Sequence, residues 1–231
     1  MLKRIFKVFC KIIFCLFLFS ILLTAAYTII NPPLTPLMVV RAFEYMSEGK
    51  SPKIQKDWVS YENVSKKLLR AVVSAEDARF VRHRGFDWKA IDAAKKYNER
   101  MKGRKLRGAS TITMQTSKNT FLWPSRTWIR KGLEAYFTVL IEAVWGKQRI
   151  LEVYVNVIEW GEGIYGVQAA SQYYFNKDAN QLTSREAALL AAIIPNPRRW
   201  SASRPTPYIE RRASWIMGRM NSVAIPKGSK K

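Results

Sequence analysis

Residues 128–146 read WIRKGLEAYFTVLIEAVWG, and this stretch sets the fold class. Tyr136, Phe137, Leu140, Ile141 and Val144 recur at three- and four-residue intervals and so gather on one face of a long helix. The same period continues outward. Asn63–Ala75 carries Val64, Leu68 and Val72 on one stripe, and Ile209, Ala213, Ile216, Met217 and Met220 make another. Residues 185–194, REAALLAAII, form a helix too short to span a bilayer and stopped by Pro195. Gln148–Val157 fits helix or strand by local pattern. Leu37–Met46 fits a short amphipathic helix, lying against a bilayer or packed in the core. No internal repeat, low-complexity tract or Asn-Gly hairpin signal interrupts the pattern, so the body reads as one mainly α-helical domain.

Composition bounds the chemistry. With 48% hydrophobic residues in 231, a sizeable core can form and global disorder is excluded. The formal charge of +22 points to a polyanionic partner: nucleic acid, anionic lipid or a phosphate-bearing substrate. Cys10 and Cys15 both lie near the N-terminus, so the body has no cysteine nucleophile, disulfide scaffold or iron–sulfur site. His83 is the sole histidine, too few for a zinc site. A hard cation held by carboxylates and substrate phosphates stays open.

Residues 12–30 carry no charge and end at Asn31-Pro32-Pro33. Nineteen residues at about 1.5 Å each reach roughly 28 Å, the scale of a bilayer's hydrocarbon core. Lys3, Arg4, Lys7 and Lys11 precede the run and favour a cytoplasmic N-terminus. A cleaved signal peptide is the alternative, but the run exceeds the usual apolar region and no small-x-small site follows. The expected organisation is a basic segment (1–11), a transmembrane anchor (12–30), a connector (31–57), a main domain (58–223) and a basic tail (224–231). Within the domain, Lys95–Arg107 holds seven basic residues against one acid, a solvated face or an electrostatic dock for headgroups.

Three strings carry candidate chemistry. The first, SAEDARFVRHRGFD (residues 74–87), sets Glu76 and Asp77 at a helix end with Phe80, His83 and Gly85 just beyond. Adjacent acids there are ordinary surface charge, but a carboxylate against apolar neighbours has a raised pKa and moves protons near neutrality. The second runs Gly108 to Gln115 (GASTITMQ) and on through Ser117, Lys118 and Asn119. It offers hydroxyls and backbone N–H groups to an anion, or simply a helix cap. It is not a P-loop, since the G-x-x-x-x-G-K-[ST] pattern is absent. In the third, Arg130 and Glu134 share a helix face at i, i+4: a surface ion pair, or a cation beside a phosphate with a second carboxylate near the reacting centre.

These strings, in this order, resemble the glycosyltransferase domain of peptidoglycan polymerases, glycosyltransferase family 51. Later matches are KQRILEVYVN (147–156), Trp160-Gly161 through Tyr165-Gly166, Ala169-Ala170, Tyr174-Phe175 and LTSREAALLAAIIPNP (182–197). The resemblance covers about residues 58–200. The short chain and NVIEWGEGIYG (156–166) look most like monofunctional Gram-negative members. Ser47-x-x-Lys50 and Ser117-x-Asn119 match transpeptidase motifs by coincidence, because no K-[ST]-G follows. Val155, where the family often has Leu, and Thr116 are conservative departures.

The resemblance implies a lysozyme-like, two-lobed helical glycosyltransferase domain around a groove, with one N-terminal transmembrane helix. It implies that lipid II attacks a glycan carried on undecaprenyl pyrophosphate, with inversion to a β-1,4 bond. Glu76 would be the general base and Glu134 the second essential carboxylate. Lys118 and Arg130 would contact the phosphates; Ser110, Thr111, Gln115 and Asn119 fall on the substrate-binding motif. Asp77, Phe80 and His83 fall on the first motif and chiefly support Glu76. Mg²⁺ or Mn²⁺ assistance is a family expectation without a visible metal cage, and no organic cofactor is implied. The expected setting is the bacterial inner membrane with the catalytic domain periplasmic, beside other cell-wall synthesis and division proteins. Nucleic acid is not an expected partner. The rivals are a lysozyme-like hydrolase or lytic transglycosylase, then a membrane-tethered basic binding protein.

Overall fold

The computed structural model describes every residue except 103, 105, 126 and 229–231. In chain order its elements are α1 (Leu2–Ala26), α2 (Pro36–Ser47), β1 (Gln55–Lys56), α3 (Lys66–Glu76), α4 (Trp88–Arg100), α5 (Ile112–Phe121), α6 (Trp128–Val144), α7 (Lys147–Val157), β2 (Glu159–Gly161), β3 (Ile164–Tyr165), α8 (Val167–Phe175), α9 (Ser184–Ile193) and α10 (Pro207–Met220). Single 3-10 turns at Tyr61–Asn63 and Phe80–Arg82 flank α3. The helical reading holds throughout, and 147–157 settles as helix.

Helix starts follow local chemistry. Thr35, Asp87, Thr111, Thr127, Thr183 and Thr206 each accept a hydrogen bond from a backbone N–H in the first turn. These caps satisfy donors that a helix leaves unpaired. At α9 the Thr183 and Glu186 side chains make a reciprocal capping box.

Two helix packets form the body. In the first, α9 lies between α3 and α10. Residues Ala187 to Ile193 are buried all round, which explains why this helix is rich in alanine rather than amphipathic. In the second packet, α5 packs on both α6 and α7. One hydrophobic core joins the packets through Leu68, Val72, Ile150, Tyr154, Trp160 and Ile216. The two-lobed expectation takes this form, with open cavities along the junction.

The ribbon had no signature in the sequence. It has the order β1-β3-β2, with β1 parallel and β2 antiparallel to β3. Strands of two or three residues are too short to show a period of two. Gly163 makes the turn at φ +70°, and a Cβ there would lie 2.5 Å from the Lys53 carbonyl oxygen.

The N-terminal helix starts earlier and stops sooner than the uncharged run of 12–30. Its first turns hold Lys3, Arg4, Lys7 and Lys11, good helix formers, with neither Gly nor Pro to stop the helix from extending backward. It is long and apolar enough to cross a membrane. Within the connector, α2 packs on α5 and buries Met38 and Tyr45, as the core-packing reading expects, and leaves Val39, Phe43 and Met46 exposed. The basic segment 95–107 begins on α4. Its far end folds back, because Asn98 Oδ1 accepts from the Arg107 N–H at 2.7 Å. Gly103 and Lys105 of that segment, and residues 229–231 of the tail, lie outside the described residues.

Candidate active site

Glu76 is the last residue of α3, carried to the junction of the packets by a helix whose other face is core. Its carboxylate accepts from the Gln115 side-chain N–H at 2.8 Å, and Arg212 of α10 stands 3.8 Å from its other oxygen. Tyr154, fully buried on α7, donates its hydroxyl to Gln115 Oε1 at 3.2 Å and fixes the amide's orientation. Burial raises the Glu76 pKa; the Gln115 hydrogen bond and the charges of Arg212 and Lys118 partly offset it. A carboxylate so held is poised to take a proton.

Asp77 points the other way. Its Oδ2 accepts from the Ile112 N–H at 3.0 Å at the start of α5, and both its oxygens lie 3.0 Å from His83 Nε2. Phe80 is fully buried against His83, edge to face, with the Lys147 ammonium over its ring. Thr111 caps α5 and donates to the Gly85 carbonyl at 2.5 Å. Gly85 needs its missing side chain: at φ +82° a Cβ would sit 2.7 Å from Thr138 Cγ2.

Two cavities open on either side of the Glu76–Gln115 contact. One, of about 600 Å³, is lined by Gln115, Lys118, Asn119, Arg130, Trp123 and Arg41, among others. The other, of about 290 Å³, is lined by Glu76, Asp77, Ser110, Thr111, Trp215 and Arg219 with their neighbours. Lys118 has no carboxylate within ion-pair distance among the described residues, and its burial lowers its pKa. Arg130 is nine-tenths buried and pairs with Glu134, which also takes the Lys131 ammonium. Glu134 itself is buried beneath them and does not line the cavity. The larger cavity thus suits an anion, and Gln115 in its lining hydrogen-bonds the Glu76 carboxylate.

The candidates therefore separate by position. Gln115, Lys118, Asn119 and Arg130 face the larger cavity, while Glu76, Asp77, Ser110 and Thr111 face the smaller. Phe80 and His83 line neither; Phe80 is buried and His83 lies against Asp77. Arg212 and Tyr154 carried no role in the sequence reading. Arg212 lies on α10, 136 residues from Glu76, next to a stripe that announced only core.

The donor set does not fit a resident divalent cation. Asp77, His83 and Asp87 come within 4.8 Å of one another. Yet Asp77 is committed to His83 and to the Ile112 N–H, while Asp87 caps α4 and lies 3.5 Å from the Arg79 guanidinium. Glu134 is committed to two cations. Hard-cation sites need several oxygen ligands, and in these clusters among the described residues only the second Asp87 oxygen is without a hydrogen-bond or ion-pair partner.

The family model described as transglycosylase matches residues 44–221. The chain belongs to the transglycosylase family. A biosynthetic peptidoglycan transglycosylase of Rhodospirillum centenum (strain ATCC 51521 / SW) is 49% identical over 223 residues, covering 96% of this chain and 94% of the relative. One of the same name from Pseudomonas fluorescens (strain SBW25) is 47% identical over 223 residues, 96% and 92% of the two chains. Another, from Bdellovibrio bacteriovorus (strain ATCC 15356 / DSM 50701 / NCIMB 9529 / HD100), is 49% identical over 219 residues, 95% and 86%. The transglycosylase match contains every candidate site residue, from Glu76 to Glu134, and also Arg212.

Proposed function

We propose that this chain is a monofunctional peptidoglycan glycosyltransferase that polymerises lipid II into β-1,4-linked strands and releases undecaprenyl pyrophosphate. The observation that carries the reading is the Glu76 carboxylate, its pKa raised by burial, hydrogen-bonded to Gln115 of a cavity that Lys118 and Arg130 also line. Family membership supports the reaction class, and one transglycosylase domain spans most of the chain.

In this reading Glu76 takes the proton from the acceptor's 4-hydroxyl as that oxygen attacks the donor's anomeric carbon. The bond from that carbon to the pyrophosphate breaks, and its electron pair leaves with the pyrophosphate. Attack opposite the α-linked leaving group gives the β product. Lys118 and Arg130 meet the growing negative charge and so bind the transition state more tightly than the ground state. Glu134 holds Arg130 and Lys131 in place, while Gln115 and Tyr154 orient Glu76. Ser110, Thr111 and Asn119 line the path of the sugars and phosphates.

Mg²⁺ or Mn²⁺ remains a proposal, as a companion of the diphosphate rather than an ion held by protein carboxylates. The apolar stretch of α1 and the basic residues at its N-terminal end support a single-pass anchor in the bacterial inner membrane, N-terminus cytoplasmic and catalytic domain periplasmic. Other cell-wall synthesis and division proteins are proposed neighbours there. A hydrolase of lysozyme type has no use for a cation-lined cavity beside its carboxylate.

The test uses purified full-length protein and lipid II in detergent or bilayer, with Glu76→Gln alongside and Mg²⁺ present or absent. A lysozyme-sensitive ladder from the wild type alone supports the reading. Chains that shorten, or no ladder from a folded wild type, overturn it.

A further inference from the structure

Arg149, on α7, grips the outer end of α1. Its Nε and Nη2 donate to the Tyr27 carbonyl at 3.1 and 3.0 Å, and Nη2 donates to the Ile30 carbonyl at 2.9 Å. Nη1 reaches Asn31 Oδ1 at 2.9 Å and Glu152 Oε1 at 2.6 Å. The Trp58 ring faces the guanidinium, 5.3 Å from centroid to Cζ. A helix end leaves carbonyls without intrahelical donors and carries partial negative charge, and a forked cation answers both needs.

Two more contacts set the helix's direction. Trp145 Nε1 donates to the Thr24 carbonyl at 2.8 Å, and the hydroxyls of Ser20 and Tyr136 lie 2.8 Å apart. The grip also leads inward. Glu152, paired with Arg149, accepts the Tyr61 N–H through Oε2 at 3.2 Å. Tyr61 opens the 3-10 turn that feeds α3, whose last residue is Glu76. The apolar helix is therefore docked on the catalytic body, not strung from a free linker.

We infer that Arg149 is a positioning residue that locks the anchor helix to the body and fixes the height and tilt of the Glu76 groove over the bilayer. The inference rests on the reaction and anchor proposed above. A lipid-borne substrate meets the groove only from the membrane plane, so a fixed groove spares orientational freedom that a tether would have to lose at each encounter.

The experiment compares full-length wild type, Arg149→Ala, Arg149→Lys and a variant with a flexible Gly-Ser insertion after Ile30. Each is assayed on lipid II in phospholipid vesicles and on a water-soluble short-chain lipid II analogue. On vesicles, kcat/KM is expected to fall on the order of tenfold for Arg149→Ala and for the insertion, and by less for Arg149→Lys, which keeps charge without the fork. On the soluble analogue all are expected to stay within about twofold of wild type, a change too small to reflect lost orientation. Equal loss on both substrates, or loss on neither, overturns the inference. If Arg149→Ala does not fold, the insertion variant decides, and full vesicle activity from it overturns the inference. A wild type inactive on both substrates instead overturns the proposed reaction, and the inference with it.

Discussion

The Gln115 side-chain amide donates to Glu76 at 2.8 Å while its oxygen accepts from the buried Tyr154 hydroxyl at 3.2 Å. The amide cannot flip without breaking both bonds, so Tyr154 sets which face Glu76 meets. Gln115→Leu removes a hydrogen bond that lowers the Glu76 pKa against the dominant effect of burial. The acid limb of the kcat/KM–pH profile is expected to move to higher pH, with a fall of about tenfold at neutrality, the scale of one lost hydrogen bond to a charged group. An acid limb that stays in place would separate Gln115 from the base.

Glu76→Gln tests catalysis and stability together. Loss of a general base is expected to slow turnover by about 10²–10⁴-fold. The stability change has the opposite sign. Because burial raises the folded-state pKa, the ionised form is penalised by folding; stability is full below the unfolded pKa and is lost as pH rises through the folded one. The neutral amide escapes that penalty, so Tm at pH 7 should rise, by about 2–4 °C per kcal/mol recovered in a chain of this size. Thermal melts at pH 7 and pH 4 check it: the gain should shrink in acid.

Lys118 should set the basic limb. Burial lowers its pKa, and Glu134 and Glu76 only partly restore it. Activity is expected to fall as pH rises through the lowered value and the ammonium empties. Lys118→Met should abolish that limb and lower kcat by about 10²-fold or more, the scale of one lost transition-state donor. A basic limb that survives in the variant would assign it to another group.

Gly85→Ala should destabilise without removing a charged group. The new Cβ meets Thr138 Cγ2 at 2.7 Å and Glu142 Cγ at 3.2 Å, in a backbone with φ +82°. Left-handed strain and overpacking together predict a loss of about 2–4 kcal/mol by denaturant titration. The Gly85 carbonyl also holds the Thr111 cap of α5, so residual activity should fall with stability.

What could be read beforehand divides along physical lines. The helices from α3 to α10 that carry an apolar stripe, such as α6 through Tyr136 to Val144, show their period within the segment itself. Glu76, Lys118 and Arg130 stood out as candidates, but each string also fitted surface charge, a helix cap or an ion pair, and only the resemblance of the ordered strings gave them roles. Arg212 did not stand out, since only the packing of α10 on α3 brings it to Glu76. Tyr154 was equally silent: a buried aromatic on a helical stripe reads as core, and its hydroxyl matters only because Gln115 faces it. The ribbon escaped because strands of two or three residues cannot repeat a period of two often enough to show it.

Glu134 offers the sharpest separation of structure from chemistry. Its carboxylate, 3% exposed, takes Arg130 and Lys131 together, and Arg130 is itself buried. Glu134→Ala strands the Arg130 guanidinium, and removing one partner of a buried pair costs about 3–5 kcal/mol. Lys131 adds little, because its half-exposed ammonium is screened by solvent. Replacing both Arg130 and Glu134 by apolar residues of similar volume should return most of that stability, since no charge is left stranded. Turnover should not return with it, because the cavity has lost one of its cations. Chemical denaturation and single-turnover rates on the single and double variants decide the matter. Recovery of both stability and rate in the double variant would make the pair a structural strut with no part in the reaction.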